Sequence, residues 1–295
     1  MTGHDPYHQG SRAVQDRVGV RALADHVGRS IGPGIRPVAA AFLELQPMLV
    51  IGARDPASGR VWASPLTGDP GFVRATGAHQ MSVAGGAGAG DPLADALGRP
   101  GTPVGTIALD PRTRRRMRLG GRARPTPRGL AIEADRVFSN CPKYLQKRQL
   151  LAGRRAGGPA AEPRVSAELT AAQRRFVAAA DTFFIATVRD GGADASHRGG
   201  NPGFVRVLSP TELSWPDYAG NAMFLTLGNL AADPGAGLLF LDWTTGTALQ
   251  LTGTATTAYG PGGARTVHFA LTEAVETSGA SPWTWSAPEY SPANP

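Results

Sequence analysis

The chain has 295 residues, is 41% hydrophobic and carries a formal net charge of +7. That length fits two ordinary domains, and no apolar run reaches the length of a membrane span. The single cysteine, Cys141, excludes an internal disulfide and a cysteine-based metal site.

In chain order, the polar N-terminus with His4 and His8 reads as a frayed tail. It lacks the apolar stretch of a secretory signal, so a cytoplasmic protein without a membrane partner is expected. Residues 12–27 carry a helical pattern that ends at Ile31-Gly32-Pro33-Gly34. Phe42, followed by Met48, Leu49, Val50 and Ile51, predicts a short helix and then a strand. A turn at Asp55-Pro56 to Gly59 leads to strands at 62–66 and 72–75. Residues 84–90 read as flexible, low-complexity Gly/Ala chain. A helical turn at 93–97, a hairpin of 104–109 with 115–122, and a strand at 132–138 complete the first half. Asn140-Cys141-Pro142 predicts a helix start, with Asn140 as N-cap and Pro142 in the first turn. Residues 152–164 are rich in Gly, Pro and Arg and read as a linker.

The second half opens with an amphipathic helix at 167–179, for which Ser166 is the expected N-cap. A strand at 183–188 turns at Asp190-Gly191-Gly192. A hairpin of 204–208 with 212–215 follows, then a helix at 223–231 stopped by Asp233-Pro234. Strands at 237–243 and 248–256 close the set. The expectation is a mainly β protein with short helices: two tandem β-barrel domains, 1–151 and 165–295, packed as a pseudo-dimer.

The two halves repeat each other. Residues 63–74 return as residues 195–206 with eight of twelve positions identical, at an offset of 132. The same offset pairs Gly105, Leu109, Asp110, Thr113, Leu119, Gly121 and Ala123 with Gly237, Leu241, Asp242, Thr245, Leu251, Gly253 and Ala255. The cations are almost all arginine, and the lysines, Lys143 and Lys147, fall in one segment. The run Arg112, Arg114, Arg115, Arg116, Arg118 alternates within a predicted hairpin. It is read as a solvated strand face, not a nucleic-acid patch, because no aromatic residues interleave it.

Residues 197–207 (His-Arg-Gly-Gly-Asn-Pro-Gly-Phe-Val-Arg-Val), 215–221, 226–230, 237–242 and 249–253 together resemble the pyridoxamine 5'-phosphate oxidase-like superfamily. The resemblance covers the second copy in order and extends more weakly to the first. Residues 138–148 resemble a segment of two-copy members. It implies a split-barrel fold with FMN held between two barrels, and an oxidase or reductase acting on a small organic substrate by hydride transfer. Other members bind haem or a deazaflavin, and for haem the chain offers only His197 and His268. Pairing of two chains into a homodimer stays open.

By motif position the resemblance assigns the phosphate to Arg206 and Thr226, with help from Asn221 and Asn229. Ring contacts fall to Asp217, Tyr218 and Gln250. Lys143, at the predicted helix start, is a further candidate for an anionic group. His197 is a candidate general acid, since its counterpart in the first copy is Pro65. Trp283 and Trp285 are expected to fold back over the barrel, with Trp285 near the ligand. Because the first copy has Gly/Ala chain where the second has a polar motif, the second copy is expected to grip the cofactor and the first to serve as a wall. The family pattern has Arg at Ala222 and Asn at Leu225, and each missing charge-assisted bond is worth about 1.5–3 kcal/mol. The alternative is therefore a repurposed ligand-binding barrel that has lost FMN.

Overall fold

A computed structural model describes residues 5–155 and 161–295. The expected linker at 152–164 lies partly outside them, and His4 wholly so.

The first half comprises α1 (Gln9–Val18), α2 (Arg21–Gly28), α3 (Pro37–Glu44), β1 (Met48–Arg54), β2 (Val61–Thr67), β3 (Val73–Gly77), β4 (Gln80–Ala84), α4 (Ala94–Leu97), β5 (Thr102–Asp110), β6 (Arg115–Thr126) and β7 (Gly129–Ser139). Two short strands, β8 (Leu150–Arg155) and β9 (Arg164–Ser166), lead to the second half. This contains α5 (Ala171–Ala179), β10 (Thr182–Arg189), β11 (Gly192–Gly199), β12 (Arg206–Ser209), β13 (Glu212–Pro216), α6 (Leu225–Ala232), β14 (Gly235–Leu241), β15 (Ala248–Tyr259), β16 (Arg265–Thr277) and β17 (Trp283–Trp285).

The sheet orders are β2-β1-β5-β6-β7-β4-β3 and β11-β10-β14-β15-β16-β13-β12. Matched one for one, they are the same topology built twice. The registers agree as well. Ile107 faces Arg118 in the first barrel and Leu239 faces Gln250 in the second, each pair displaced by 132. The bulge between the sixth and seventh strands falls at Gly120/Gly121 and again at Thr252/Gly253. Each sheet wraps its own core. In the second, Phe183 is packed by Phe204, Phe240 and Trp215 with centroid separations of 5.0–5.8 Å. Burying an aromatic of this kind contributes roughly 1.5–3 kcal/mol.

A third apolar cluster joins the barrels. Met48, Val50, Val61, Ile107 and Leu109 of the first meet Phe184, Ala186, Val188, Leu239 and Leu241 of the second. The contact is close because glycine stands at its pseudo-equivalent points. A Cβ on Gly105 would overlap the backbone of Asp194, and one on its counterpart Gly237 would overlap the backbone of Trp62. Trp62 and Asp194 are themselves 132 apart, so the contact is two-fold symmetric within one chain, as an isologous dimer interface is between two.

Several local expectations differ from the structure. The pattern at 12–27 is two helices, broken where Gly19 turns left-handed at φ 73°. His8 is no frayed residue; it caps α1, its Nδ1 accepting from the Gly10 N–H at 3.2 Å. α5 is capped by Thr170 in a capping box with Gln173, while Ser166 is engaged in β9, opposite Ala274. No helix starts at Asn140: the chain leaves β7 irregularly and Tyr144 turns left-handed at φ 63°. The 84–90 segment is fastened by a Gly85 N–H bond to the Arg128 carbonyl (2.8 Å) and by Ala87 packed on the first core. β16, which had no prediction, is the counterpart of β7 and pairs with β9, β13 and β15. Among the described residues no helix is long and apolar enough to cross a membrane.

Candidate functional site

A crevice of about 880 Å3, counting its open mouth, lies between the barrels. The second barrel contributes Ser196, His197 and Arg198 from β11, Pro216 at the end of β13, and the loop that runs through Asp217 and Tyr218 into α6. The first barrel contributes Ile107 from β5, Arg116 and Arg118 from β6, and Asn140, Cys141, Lys143 and Tyr144 beyond β7.

The loop into α6 is held from three sides. Arg265 Nε bonds Asp217 Oδ2 at 2.9 Å, and its Nη2 donates to the Asp217 carbonyl at 3.1 Å. Gln15 of α1 donates to the Met223 carbonyl at 3.0 Å, so the N-terminal extension of the first copy braces the loop of the second. Asn221 Oδ1 accepts from the Met223 N–H at 3.2 Å. Within this frame Ala222 and Phe224 both adopt left-handed backbone, φ 60° and 51°. Such non-glycine conformations persist where the surroundings over-determine them, and they concentrate at ligand sites.

The electrostatics are set by three arginines. Arg118 and Asp194 are both buried and form an ion pair. Arg116 donates from Nη1 to His197 Nδ1 at 2.8 Å and from Nη2 to the Cys141 carbonyl at 2.6 Å. Burial, reinforced by Arg118 and Arg198, pulls Arg116 down to about 10, still protonated at neutral pH. Arg198 bonds Ser196 Oγ at 2.9 Å and lies 3.7 Å from Asp217 Oδ1. His197 is held well below its ordinary 6.5, first by burial and then by Arg116 and Arg198. Its ring is therefore neutral. An arginine only donates, so Nδ1 is the acceptor and the proton resides on Nε2.

Among the described residues, four polar atoms of the cleft are buried without a protein partner: Arg116 Nε, Arg118 Nε, His197 Nε2 and Asn140 Oδ1. Three of the four are donors. Leaving such a group unsatisfied costs about 1–3 kcal/mol, more when charged. Around them stand Ile107, Phe204, Met223, Phe224 and Leu225, with Tyr144 and Tyr218 in contact at 5.0 Å. The cleft thus joins an anion-seeking end to apolar walls.

Of the residues singled out in the sequence, His197, Asp217, Tyr218, Asn221, Thr226 and Lys143 come together here. Asp217 is spoken for by arginines, and Lys143 is exposed at the rim. The others lie elsewhere. Arg206 is exposed on the edge strand β12. Asn229 is buried on the far side of α6, donating to Thr187 Oγ1 at 2.9 Å. Gln250 is buried at the pseudo-equivalent place, donating to the Ala63 carbonyl, Ser64 and Asp91 at 2.9–3.1 Å. Trp283 and Trp285 do fold back, but against Pro47 and Trp243 instead of over the cleft.

The solvated-face reading of the arginine run fails at two of its members. Arg116 and Arg118 turn into the crevice because β6 packs against the second barrel there. The first barrel is accordingly more than a backstop. The signal was present in the repeat: Arg116 and Arg118 stand opposite Ala248 and Gln250 at an unchanged offset.

Residues 169–278 match the family model described as pyridoxamine 5'-phosphate oxidase. The matched stretch falls within the second barrel. Among solved structures, a Lactobacillus delbrueckii protein described as a candidate pyridoxamine 5'-phosphate oxidase is 18% identical (TM-score 0.31), over 37% of this chain and 94% of its own. HupZ of Group A Streptococcus is 11% identical (TM-score 0.29), over 35% and 90%. A FAD-binding protein of Mesorhizobium loti is 10% identical (TM-score 0.28), over 39% and 97%. No curated protein matches the chain.

Proposed function

We propose that the cleft holds a flavin nucleotide, FMN by preference, and that the protein is a flavin-dependent oxidoreductase acting on a small organic substrate. The observation that carries this reading is the set of buried donors on Arg116, Arg118 and His197 without partners, beside an apolar slot and on a family barrel. Those residues suit a planar ring with an anionic tail. When bound, the flavin supplies hydride transfer at its ring.

The chain's own part is binding, orientation and exclusion of water. Arg116, Arg118 and Arg198 meet negative charge in a site where few waters compete. They take the place of the family arginine missing at Ala222. Thr226 in the first turn of α6 adds a hydroxyl. Tyr144 and Tyr218 narrow the mouth. His197 offers the Nε2–H of a neutral ring as a fixed hydrogen-bond donor, a role distinct from that of an imidazolium acid. The same tautomer disfavours haem, since a protonated Nε2 has no lone pair for iron; His268 is exposed on β16. Both walls come from one chain, so the cleft needs no second copy.

Ala222 and Leu225, both buried in the wall, favour the second reading: a barrel repurposed for another anionic ligand. The absorption spectrum decides. FMN added to the purified chain and retained through gel filtration, with bands that bleach on reduction and return in air, supports the flavin reading. A colourless protein that takes up no FMN supports the alternative.

A further inference from the structure

A second cavity, about 620 Å3 with its mouth, lies away from the cleft. It is walled by the end of α5, the start of β10, the turn after β14 and the C-terminal tail at Ser286–Pro288. Arg148 and Asp181 stand in its lining, 6% and 5% exposed, and pair through Arg148 Nη2 and Asp181 Oδ2 at 2.7 Å. That single bond uses a small part of their capacity. Arg148 Nε and Nη1 and Asp181 Oδ1 are buried with no protein partner among the described residues. Burial pushes Arg148 down and Asp181 up, the directions expected where charge is poorly compensated. Trp243 lies under the guanidinium at 5.1 Å.

The first barrel shows what a closed version looks like. Asp181 precedes β10 as Pro47 precedes β1, and the opening pairs Met48–Thr67 and Thr182–Gly199 correspond. At Pro47 the tail itself fills the position, the Trp283 indole N–H donating to the Pro47 carbonyl at 3.1 Å. At Asp181 the tail stands back as one wall, and a charged pair is left half satisfied.

We propose that this cavity is a binding site for a small, neutral, flat ligand that presents an acceptor and a donor side by side, as a primary carboxamide does. The carbonyl oxygen accepts from Arg148 Nε or Nη1, and the amide N–H donates to Asp181 Oδ1. The pair is neutral overall, so a neutral ligand completes both partners without adding an uncompensated charge. Phe176, Leu241 and Trp243 supply an apolar side for the rest of the molecule. Because Ser286–Pro288 forms one wall, occupancy also fastens the tail. The site does not depend on the flavin reading of the cleft.

The test is calorimetric titration of the full chain with benzamide. Saturable binding is expected, weakened at least tenfold by Asp181→Asn. Ala179→Trp, which adds an indole at an exposed position on the rim and leaves the ion pair intact, is expected to weaken it as much. Methyl benzoate, which lacks the donor, is expected to bind at least tenfold more weakly, and Arg116→Ala in the cleft to leave benzamide binding unchanged. No saturable binding, equal binding by methyl benzoate, full binding by Ala179→Trp, or loss in Arg116→Ala each overturns the assignment.

Discussion

The cleft and its pseudo-symmetric mate occupy equivalent ground and have opposite characters. In the cleft, Ile107, Arg116 and Arg118 of one barrel face Ser196, His197 and Arg198 of the other. In the mate, Leu239, Ala248 and Gln250 face Ser64, Pro65 and Leu66, at the same offset of 132. There Gln250 bonds Ser64 and Asp91, Asp91 bonds the Leu93 N–H at 2.8 Å, and burial pushes the Asp91 carboxyl up toward its neutral form. One copy of the interface is a closed polar latch and the other an open cationic crevice. A duplicated fold keeps its packing at both sites while the polar residues diverge, so position alone does not make a site.

Substitutions on each side sharpen that contrast. The largest effect is expected from Arg118→Ala, which strands the buried Asp194 carboxylate; a loss of about 3–5 kcal/mol is predicted, read by urea unfolding. Arg116→Ala is expected to spare the fold and weaken FMN binding about 10- to 100-fold, as loss of a charge-assisted bond does; fluorescence titration of FMN measures it. Gln250→Ala is the reverse experiment. It should cost about 1–3 kcal/mol of stability by leaving Ser64 and Asp91 short of a donor, with FMN affinity unchanged. If Gln250→Ala abolishes flavin binding, the two sites are not distinct in function.

Acid provides a finer probe. His197 is neutral in the folded protein, with its value well below the ordinary 6.5. As pH falls through about 6.5 the unfolded chain takes up a proton that the folded one refuses, so stability declines toward acid by up to about 1.4 kcal/mol per pH unit. His197→Asn is expected to flatten this slope between about pH 7 and about pH 5. It leaves the contribution of His8, which burial lowers in the same direction. The smallest effect belongs to Lys143→Ala. This exposed rim charge is worth at most about 1 kcal/mol, so FMN affinity should change by no more than a few-fold.

The topology was legible because a repeat reports itself. Each β-strand of the first half has a counterpart, and even β16 was recoverable by adding 132 to the strand at 132–138. Periodicity alone missed it because its alternation, Arg265-Thr266-Val267-His268-Phe269, mixes polar residues into a half-buried strand. Much of the second barrel's share of the cleft falls within the motifs at 197–207, 215–221 and 226–230. The first barrel's share was not legible. Strand alternation shows that Arg116 and Arg118 share a face but not whether solvent or a second barrel covers it. Arg206, Asn229 and Gln250 illustrate the converse, since motif position fixed their place in the chain and tertiary packing turned them away from the crevice. Asn140 and Pro142 looked like a helix start, and the left-handed turn at Tyr144, enclosed by the Tyr218 contact, displaced it.

On the proposed reading, one open, arginine-lined crevice per chain binds the flavin while its pseudo-symmetric mate is closed. Equilibrium titration of FMN into the purified protein, followed by flavin fluorescence quenching against known chain concentration, tests it most directly. The predicted end point is one flavin per chain, displaced from the wild type by excess phosphate-bearing competitor and reached only at about 10- to 100-fold higher flavin concentration in Arg116→Ala. An end point of two per chain, or no saturable uptake, contradicts it.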